Sequence, residues 1–581
     1  MGIFRFSGFE MKTGTETPLA QESITLLREG EVSEYLIQLV FEGEVSPKTY
    51  SIAWQEARVD TVGQWSPSCG TSRSIGPNWA RSKSDARTAC GMPLLSLFGA
   101  DDGNRLTLAL SDTATPTSLQ VGTIEENGRL DLRVMLFTNL TSPMREYEAV
   151  LRIDRRKQIS FATAAKEVRA WWSERGLACA RVPDDARKPM YSTWYSYHQK
   201  VFAEEILAEC RLAKELGMDT VIVDDGWQTD DNSRGYAYCG DWQVAAGKIP
   251  DMRAFVDALH AMGMKIILWY SVPFVGEKSE NYRRFEGKYL SYTAGLHTYV
   301  LDPRYPEVRD FLADTYARAV QEFDLDGLKL DFIDRFALLP ESTRSAEGMD
   351  TVSVEEGVDL LLREVTERLR AVKPDVMLEF RQPYVGPIVA KYGNLFRVGD
   401  CPSDPIRNRV GTLDLRLTAG TCCVHSDMIM WHPEETPEGM APQLWGVLFS
   451  VPQISVRIAR LTQPQRKALC HYLTFWLAHR ETLLDGTLEV EGVQANYTLA
   501  TATGKDEAIT AVYAQRTVNV GATLPHYVFN ITGKEGLYLA LSTPCTYEIL
   551  DVSGERVASG EAEGMTRLPV PNGGSVCLTA K

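Results

Sequence analysis

The chain has 581 residues, of which 44% are hydrophobic and 24% charged. This length and composition indicate a globular protein of several domains, because one core rarely serves more than about 250 residues. Its 77 acidic residues outnumber its 61 basic ones, for a formal net charge of −16, which argues against nucleic-acid binding because phosphate contacts need clustered Lys and Arg.

The sequence contains no apolar run long enough to span a membrane, and its start lacks the apolar core and cleavage site of a signal peptide. We therefore expect a cytoplasmic protein with no membrane partner, although secretion by another route stays open. The 11 cysteines include no CxxC pair. This pattern predicts small buried thiols and no metal or redox site.

Residues 1–180 are predicted to form an N-terminal β-sandwich. Short runs rich in Val, Ile, Leu, Thr and Tyr recur over residues 22–154, separated by Gly, Asn, Pro and Ser. Strands at this spacing are typical of antiparallel sheets packed face to face. Residues 163–174 are predicted to form a helix, and the Pro-containing stretch 181–189 to connect it with the next domain.

Residues 181–484 are predicted to form a (β/α)8 barrel. Apolar runs alternate there with amphipathic helical stretches, as expected for a parallel sheet with crossover helices. The predicted strands are 190–195, 220–225, 265–270, 327–332, 376–380, 395–398, 422–426 and 451–456. The predicted helices are 203–216, 252–262, 306–322, 354–372, 440–449 and 463–478.

Residues 485–581 return to a strand pattern, with runs such as TLEV, YTLATAT and HYVFNI. They predict a second, smaller, antiparallel β-domain at the C-terminus.

Carboxylates mark the ends of the predicted barrel strands, where catalytic groups of barrels lie. Asp224 and Asp225 end the second strand and Glu379 the fifth. In the fourth strand Lys329 and Asp331 lie two residues apart, so both should face the barrel axis. They could form a self-contained buried ion pair, but the other carboxylates at the same mouth favour a pair that faces a substrate.

Aromatic residues follow the same strands, and rings that stack on sugar C–H faces beside Asp, Lys and Arg predict a sugar pocket. These aromatics are Trp194, Tyr195, Tyr197, Trp227, Trp242, Trp269, Tyr270 and Trp431.

Glycoside hydrolysis needs two carboxylates that flank one sugar. Asp331 and Asp400, which follow the fourth and sixth strands on adjoining parts of the ring, are the predicted pair.

Six phrases in order resemble glycoside hydrolase family 36, the α-galactosidases: STWYSYH (192–198), VDDGWQ (223–228), GDW (240–242), GMKIILWYSVPF (263–274), LKLDF (328–332) and RVGD (397–400). The resemblance implies a retaining hydrolase that removes terminal α-linked galactose without a cofactor or metal. Asp331 would be the nucleophile and Asp400 the acid/base, with the carboxyl groups about 5 to 5.5 Å apart. Relatives often form dimers or tetramers, so a homo-oligomer is compatible with the resemblance.

The same resemblance implies the substrate contacts. Asp224 and Asp225 would hold the 4- and 6-hydroxyls, Lys329 the 3- and 4-hydroxyl region, and Arg397 would lie near the 2-position. Trp194 and Trp242 would wall the pocket. Lys329 should keep Asp331 ionised, whereas Asp400 should hold its proton in a drier setting.

Two departures from the family pattern leave alternatives open. Many relatives carry a small Gly- and Cys-containing loop after the fifth strand, near the sugar's 2-position, but this chain has Arg381 there. An α-N-acetylgalactosaminide or another 2-modified galactoside is therefore the nearest alternative substrate. After the sixth strand, Asp404 competes with Asp400 for the acid role, although Asp404 is also suited to cap the next helix.

Other functions use the same residues. A magnesium-dependent lyase would take Asp224, Asp331 and Glu379 as ligands and Lys329 as base. A transglycosidase would share the covalent intermediate, and a catalytically inactive sugar-binding protein would not need both carboxylates.

Asp302 is predicted to be a turn or cap residue. For the seventh-loop residues His425, Asp427 and His432, ligand contacts and a local hydrogen-bond network are equally open, and a metal site is not expected.

Overall fold

The computed structural model describes residues 2–523 and 525–581, and its N-terminal part contains two stacked antiparallel sheets. One sheet has, in spatial order, Ile3–Phe6, Phe9–Gly14, Tyr50–Ala57, Arg129–Leu136, Thr117–Thr123, Ser82–Arg87 and Cys90–Gly91. The other has Leu19–Arg28, Val32–Val45, Met144–Asp154, Asn104–Leu110, Leu94–Phe98 and Gly63–Trp65. The predicted β-sandwich is confirmed.

Alternation of apolar and polar residues builds this sandwich. In Val32–Val45, buried Tyr35, Ile37 and Leu39 alternate with more exposed neighbours, because successive side chains point to opposite faces. The helix Phe161–Glu174 follows, and its first turn is capped by the Ser160 side chain. This helix carries the chain from the sandwich to the barrel.

Eight parallel strands form the barrel, and all eight lie where the apolar runs predict them. They are β1 (Met190–Ser192), β2 (Thr220–Val223), β3 (Lys265–Ser271), β4 (Gly327–Asp331), β5 (Met377–Arg381), β6 (Leu395–Arg397), β7 (Cys423–His425) and β8 (Gln453–Ile454). Neighbours pair in chain order, and β8 pairs with β1. A parallel bridge between His425 and Val451 joins β7 to the β8 segment and completes the ring.

Helices follow most strands, six of them close to predicted positions and four, at 194–197, 281–284, 405–418 and 480–485, outside the predicted helix ranges. They are Trp194–Tyr197, Ala203–Glu215, Met252–Ala261, Asn281–Arg284, Pro306–Phe323, Val354–Val372, Pro405–Thr418, Pro437–Trp445, Gln463–Ala478 and Arg480–Asp485. After β5 the connection contains only the 3-10 turn Val389–Lys391. A three-stranded antiparallel sheet follows β3, made of Phe274–Gly276, Tyr289–Thr293 and Thr298–Leu301.

The C-terminal part is an eight-stranded sheet, with seven strands in one path and an eighth added as a hairpin. Its order is Thr487–Glu491, Leu499–Thr503, Ala508–Val512, His526–Asn530, Ser575–Ala580, Leu537–Leu550 and Thr517–Val520, with Arg556–Leu568 paired to Leu537–Leu550. The pairing is mainly antiparallel, as predicted. Two pairs are parallel, because the chain crosses over between Ala508–Val512 and His526–Asn530 and between Thr517–Val520 and Leu537–Leu550.

The N-terminal sandwich supports the loops at the barrel mouth. Gly91 N–H donates to the Pro383 carbonyl at 3.0 Å, in the loop after β5. Arg87 donates to the carbonyls of Asp334 (2.7 Å) and Phe336 (2.6 Å), in the loop after β4. These two loops are therefore held from outside the barrel. None of the helices in residues 2–523 and 525–581 has the length and apolar character to cross a membrane.

Candidate active site

Strand register brings the predicted polar residues to the centre of the barrel. Lys329 on β4 lies level with Trp269 on β3 and Glu379 on β5. Asp331 lies two residues further, at the end of β4, level with Ser271. Alternation along a strand turns Lys329 and Asp331 to the same side, and both are buried.

Asp331 is the most densely hydrogen-bonded carboxylate at this mouth. Its Oδ1 accepts hydrogen bonds from Arg381 Nε (2.9 Å), the Phe332 N–H (2.8 Å) and the Tyr384 hydroxyl. Burial by itself would raise the pKa of Asp331, but Arg381 and Lys329 outweigh it and hold that pKa well below its usual range. Asp331 is therefore ionised at neutral pH, as predicted, although Arg381 contributes more than Lys329.

The two oxygens of Asp331 have unequal surroundings. Three donors contact Oδ1, whereas among the described residues Oδ2 accepts only the Trp269 indole N–H, at 3.0 Å. Oδ2 therefore keeps the free lone pair that nucleophilic attack needs. The sequence analysis did not predict that Tyr384 contacts Asp331. The one feature that could have indicated it is the position of Tyr384 in the loop after β5, three residues after Arg381.

Arg381 lies against the nucleophile candidate, and its place relative to the sugar's 2-position stays a prediction. Its guanidinium carbon lies 5.2 Å from the Phe332 ring centroid and 5.3 Å from the Tyr384 ring centroid. Its Nη1 donates to the Gln382 carbonyl at 3.2 Å. The charge of Asp331 and the two rings attract the guanidinium and fix it there.

Lys329 forms an ion pair with Asp224, which directly follows β2. Lys329 Nζ donates to Asp224 Oδ2 at 2.6 Å, and both side chains are buried. Burial alone would lower the pKa of Lys329, but Asp224 raises it above the ordinary value. Lys329 thus stays protonated, and its positive charge helps to lower the pKa of Asp331.

Asp225 differs from its prediction as a direct sugar ligand. Gln199 Nε2 donates to Asp225 Oδ2 and Gln228 Nε2 donates to Asp225 Oδ1, each at 2.7 Å. Burial raises the pKa of Asp225 to about 6. Because two amides already use its oxygens, Asp225 fixes the loop after β2, and neither glutamine was predicted to take part.

Arg397 also differs from its prediction, because its side chain is 0% exposed and is enclosed by three carboxylates. It donates to Asp427 and, at 2.9 Å, to Asp400 Oδ1, and its Nε lies 3.3 Å from Glu379 Oε1. A guanidinium without exposed surface cannot reach the sugar's 2-position. Arg397 positions Asp400 from behind.

Asp400 is the most exposed carboxylate of the group, with 45% of its side chain accessible. The prediction of a dry setting is therefore wrong for the unliganded protein. Burial would raise the pKa of Asp400, but Arg397 and Arg381 lower it, while the Asp331 carboxylate opposes them. The pKa of Asp400 thus depends on the charge of Asp331 as well as on the two guanidinium groups.

The three predicted tryptophans lie in different environments. Trp194 is half-buried, with its ring edge-on to His198 at 4.7 Å between centroids. Trp242 is buried and packs against Trp227 (6.1 Å) and Tyr270 (4.8 Å), so it belongs to the aromatic layer beneath the site. Trp269 is buried too and acts as the indole donor to Asp331.

Two aspartates, Asp404 and Asp302, for which the sequence left a structural role open, make structural contacts. Asp404 caps the helix Pro405–Thr418 by accepting from the Arg407 N–H at 2.9 Å. Asp302 forms a buried turn and ion pair with Arg304.

The seventh-loop residues also have protein partners, two of which are distant in the chain. His425 Nε2 lies 2.8 Å from the Ala186 carbonyl, and Asp427 accepts from the Tyr195 hydroxyl at 3.0 Å. His432 Nδ1 accepts from the Glu434 N–H at 3.2 Å. Within residues 2–523 and 525–581, no group of three or more His, Cys, Asp or Glu side chains converges as a metal site would.

A cavity of about 390 Å3 lies between the sandwich and the loops after β5 and β6. It is next to the reacting groups, because Arg381 and Asp400 form part of its wall. Other residues in the wall include Thr71, Met92, Val385 and Arg407. The site thus continues past Asp400 into a space large enough for a further ligand group.

Comparison with known proteins agrees with this geometry. A family model described as Melibiase matches residues 172–381, which include β1 to β5 and Asp331. Alpha-galactosidase Mel36A of Lactobacillus acidophilus is 26% identical over 178 residues, 29% of this chain and 24% of that protein. The matched segment thus spans about a quarter of the length of that relative.

The fold likeness extends over the whole chain. The GH36 alpha-galactosidase AgaA of Geobacillus stearothermophilus, as a variant in complex with 1-deoxygalactonojirimycin, superposes with a TM-score of 0.68 at 14% identity, over 99% of this chain and 90% of that one. The chain therefore has the fold of the GH36 alpha-galactosidases, and residues 172–381 match the Melibiase family model. A raffinose complex of AgaA gives a TM-score of 0.67 at 14% identity, over 100% of this chain and 90% of that one.

In this protein, Tyr384→Phe is expected to move the acidic limb of the pH profile of kcat/KM upward by about one pH unit, with little change on the plateau. The Tyr384 hydroxyl helps to hold the pKa of Asp331 low, so its loss lets that pKa rise and Asp331 becomes protonated at higher pH. Tyr392→Phe is the matched control, because that hydroxyl contacts Asp359 instead. An unchanged limb in Tyr384→Phe would contradict the assigned role.

Proposed function

We propose that the protein hydrolyses terminal α-galactosides with retention of configuration. The observation that carries the proposal is the buried, ionised Asp331 with one open oxygen, beside the accessible Asp400. A retaining glycosidase needs this combination of a permanent nucleophile and a second carboxyl group that exchanges protons. The Melibiase match over Asp331 and the sugar complexes of AgaA support galactose as the sugar.

In the first step, Asp331 Oδ2 attacks the anomeric carbon and Asp400 protonates the departing glycosidic oxygen. The free protein holds the pKa of Asp400 low, but a bound sugar would cover its exposed face. Burial of a carboxyl group raises its pKa. Substrate binding therefore gives Asp400 the proton that the first step requires.

In the second step, Asp400 removes a proton from water, which attacks the anomeric carbon of the Asp331 ester from the opposite face. Esterification removes the charge of Asp331, whose repulsion raises the pKa of Asp400 in the free protein. The pKa of Asp400 is therefore lower in the intermediate than in the free protein, and Arg397 stabilises its anion. Two displacements at one carbon give net retention.

Lys329 and Asp224 are proposed to bind the sugar hydroxyls at the floor of the pocket, and Trp194 to contact the ring from the side. Asp225, Arg397 and Trp242 are proposed to support this floor from behind, since their polar atoms or rings already have protein partners. A sugar acceptor in place of water would turn the same chemistry into transglycosylation.

A 2-modified galactoside, such as an α-N-acetylgalactosaminide, is the second candidate substrate. The cavity beside Arg381 and Asp400 favours it, because it offers room next to the reacting carbon for a substituent larger than a hydroxyl. The same space could instead receive the leaving group of an oligosaccharide. Only the response to two matched substrates separates these uses.

The test compares nitrophenyl α-galactoside with nitrophenyl α-N-acetylgalactosaminide, with and without EDTA. We expect release from the first substrate and no effect of EDTA, because Lys329, Arg381 and Arg397 already neutralise the carboxylates that a magnesium-dependent lyase would use. Release only from the second substrate would select the 2-modified candidate. No release from either, or a loss of activity with EDTA, would overturn the proposal.

A further inference from the structure

Two thiols and one guanidinium meet where the segment after helix Phe161–Glu174 passes the start of β7. We call Arg169, Cys179 and Cys422 the thiol cluster. Arg169 is only 3% exposed, and its Nη2 lies 2.7 Å from Cys179 Sγ. This cluster shares no residue with the active site.

Arg169 lacks the counter-charge that a buried guanidinium normally has. Its Nη1 donates to the Leu177 carbonyl at 2.9 Å. In the part of the chain that the structure describes, Arg169 Nε has no hydrogen-bond partner, and no carboxylate lies within 4 Å of the guanidinium. Cys179 is thus the one side chain bonded to Arg169 that can become an anion. By contrast, Arg73, which contacts Cys69, is paired with Asp414.

The surroundings of Cys179 otherwise favour its ionised form. The neighbouring Cys422 thiol, with Arg169 and Thr421, lowers the pKa of Cys179 to about 4 against the effect of burial. The Cys422 thiol itself contacts the Ala390 and Gly393 carbonyls, at 3.9 and 3.7 Å. A Cβ at Gly420 would lie 3.1 Å from Cys179 Sγ, so the loop before β7 closes tightly over the sulfur. The Ala419 carbonyl, 3.2 Å from Sγ, is the acceptor that the neutral thiol would use.

We propose that Cys179 is a reactive thiolate, held by Arg169, that takes small soft electrophiles and peroxides, with Cys422 as its resolving thiol. Cys179 is partly accessible, whereas Cys422 is buried. A reactive thiol needs a nearby cation, and this arrangement of one accessible and one buried thiol is common in redox-sensitive pairs. The site is independent of the sugar chemistry proposed above.

With hydrogen peroxide as oxidant, the reaction has two steps. The Cys179 thiolate attacks one peroxide oxygen, so that a sulfenic acid forms and hydroxide leaves, to be protonated to water. The Cys422 sulfur then attacks the Cys179 sulfur, which forms a disulfide and releases the second water. Two thiols lose two electrons and two protons in total, and peroxide is reduced to two waters.

The first test measures alkylation of the native protein by iodoacetamide at pH 6 and pH 8, with peptide mass mapping. Cys470, exposed on helix Gln463–Ala478, is the internal comparator. An ordinary thiol reacts roughly 50- to 100-fold faster at pH 8 than at pH 6, since its thiolate fraction rises with pH. We expect less than about a twofold change at Cys179. A rise at Cys179 parallel to that at Cys470, or no labelling of Cys179, would overturn the proposal.

The second test treats the protein with hydrogen peroxide and maps peptides without reduction. We expect a Cys179–Cys422 cross-link whose mass is lower by two hydrogens. In Cys422→Ser, the Cys179 sulfenic acid should persist and react with dimedone, while Cys69→Ala should behave as the wild type. Oxidation of Cys179 to the sulfinic acid with no cross-link in the wild type would rule out Cys422 as resolving thiol.

Discussion

Replacing Asp331 with asparagine is expected to lower kcat for an aryl α-galactoside by roughly 10⁴-fold or more. An amide oxygen is a poor nucleophile, so the covalent intermediate cannot form. The open oxygen of Asp331 and the donors that fix its partner oxygen make this carboxylate the group placed for attack. Initial rates on the nitrophenyl substrate, with circular dichroism to verify folding, provide the measurement.

Asp334→Asn is the matched control for this loss. Asp334 lies in the next turn, Ile333–Arg335, and its carbonyl accepts from Arg87. The same change there should leave kcat within about twofold of the wild type. Loss of activity in both variants would point to disturbance of the loop after β4 instead of loss of the nucleophile.

Asp331→Asn leaves Arg381 and Lys329 without their shared anion and could therefore fold poorly. A covalent trap then identifies the nucleophile in the wild-type protein. A 2-fluoro galactosyl fluoride forms a glycosyl ester that breaks down slowly, because fluorine destabilises the oxocarbenium-like transition state. Peptide mapping of the wild type should find the label on Asp331. A label on any other carboxylate would refute the assignment.

Replacing Asp400 with alanine is expected to lower kcat/KM for a galactoside with a poor leaving group by about 10²- to 10⁴-fold. The loss should be much smaller for a dinitrophenyl galactoside, whose leaving group departs without protonation. Added azide should restore turnover, because it attacks the Asp331 ester without a general base. The product should be the galactosyl azide of retained configuration.

Asp404→Asn is the control for Asp400. Asparagine caps a helix nearly as well as aspartate, and Asp404 caps Pro405–Thr418. We therefore expect its activity and stability to stay near those of the wild type. Azide rescue in Asp404→Ala but not in Asp400→Ala would exchange the two roles.

The sequence by itself determined the layout of the fold. Short runs rich in Val, Ile, Leu, Thr and Tyr, separated by turn residues, predicted the N-terminal sandwich. Alternating apolar and amphipathic runs predicted all eight barrel strands, because local side-chain spacing must match the face that each element buries. The spacing of Lys329 and Asp331 similarly placed both on one side of β4. The parallel pairs of the C-terminal sheet were not visible, since pairing between distant strands leaves no local pattern.

Only the tertiary structure decided how the charges of the site are distributed. The sequence assigned Arg381, Arg397 and Asp225 to the sugar, but folding brings Arg381 to Asp331, encloses Arg397 among carboxylates and occupies Asp225 with two amides. Which partner a charged side chain meets depends on contacts between residues far apart in the chain. A motif specifies the chemical group, whereas the pKa and the free lone pairs come from the assembled neighbours.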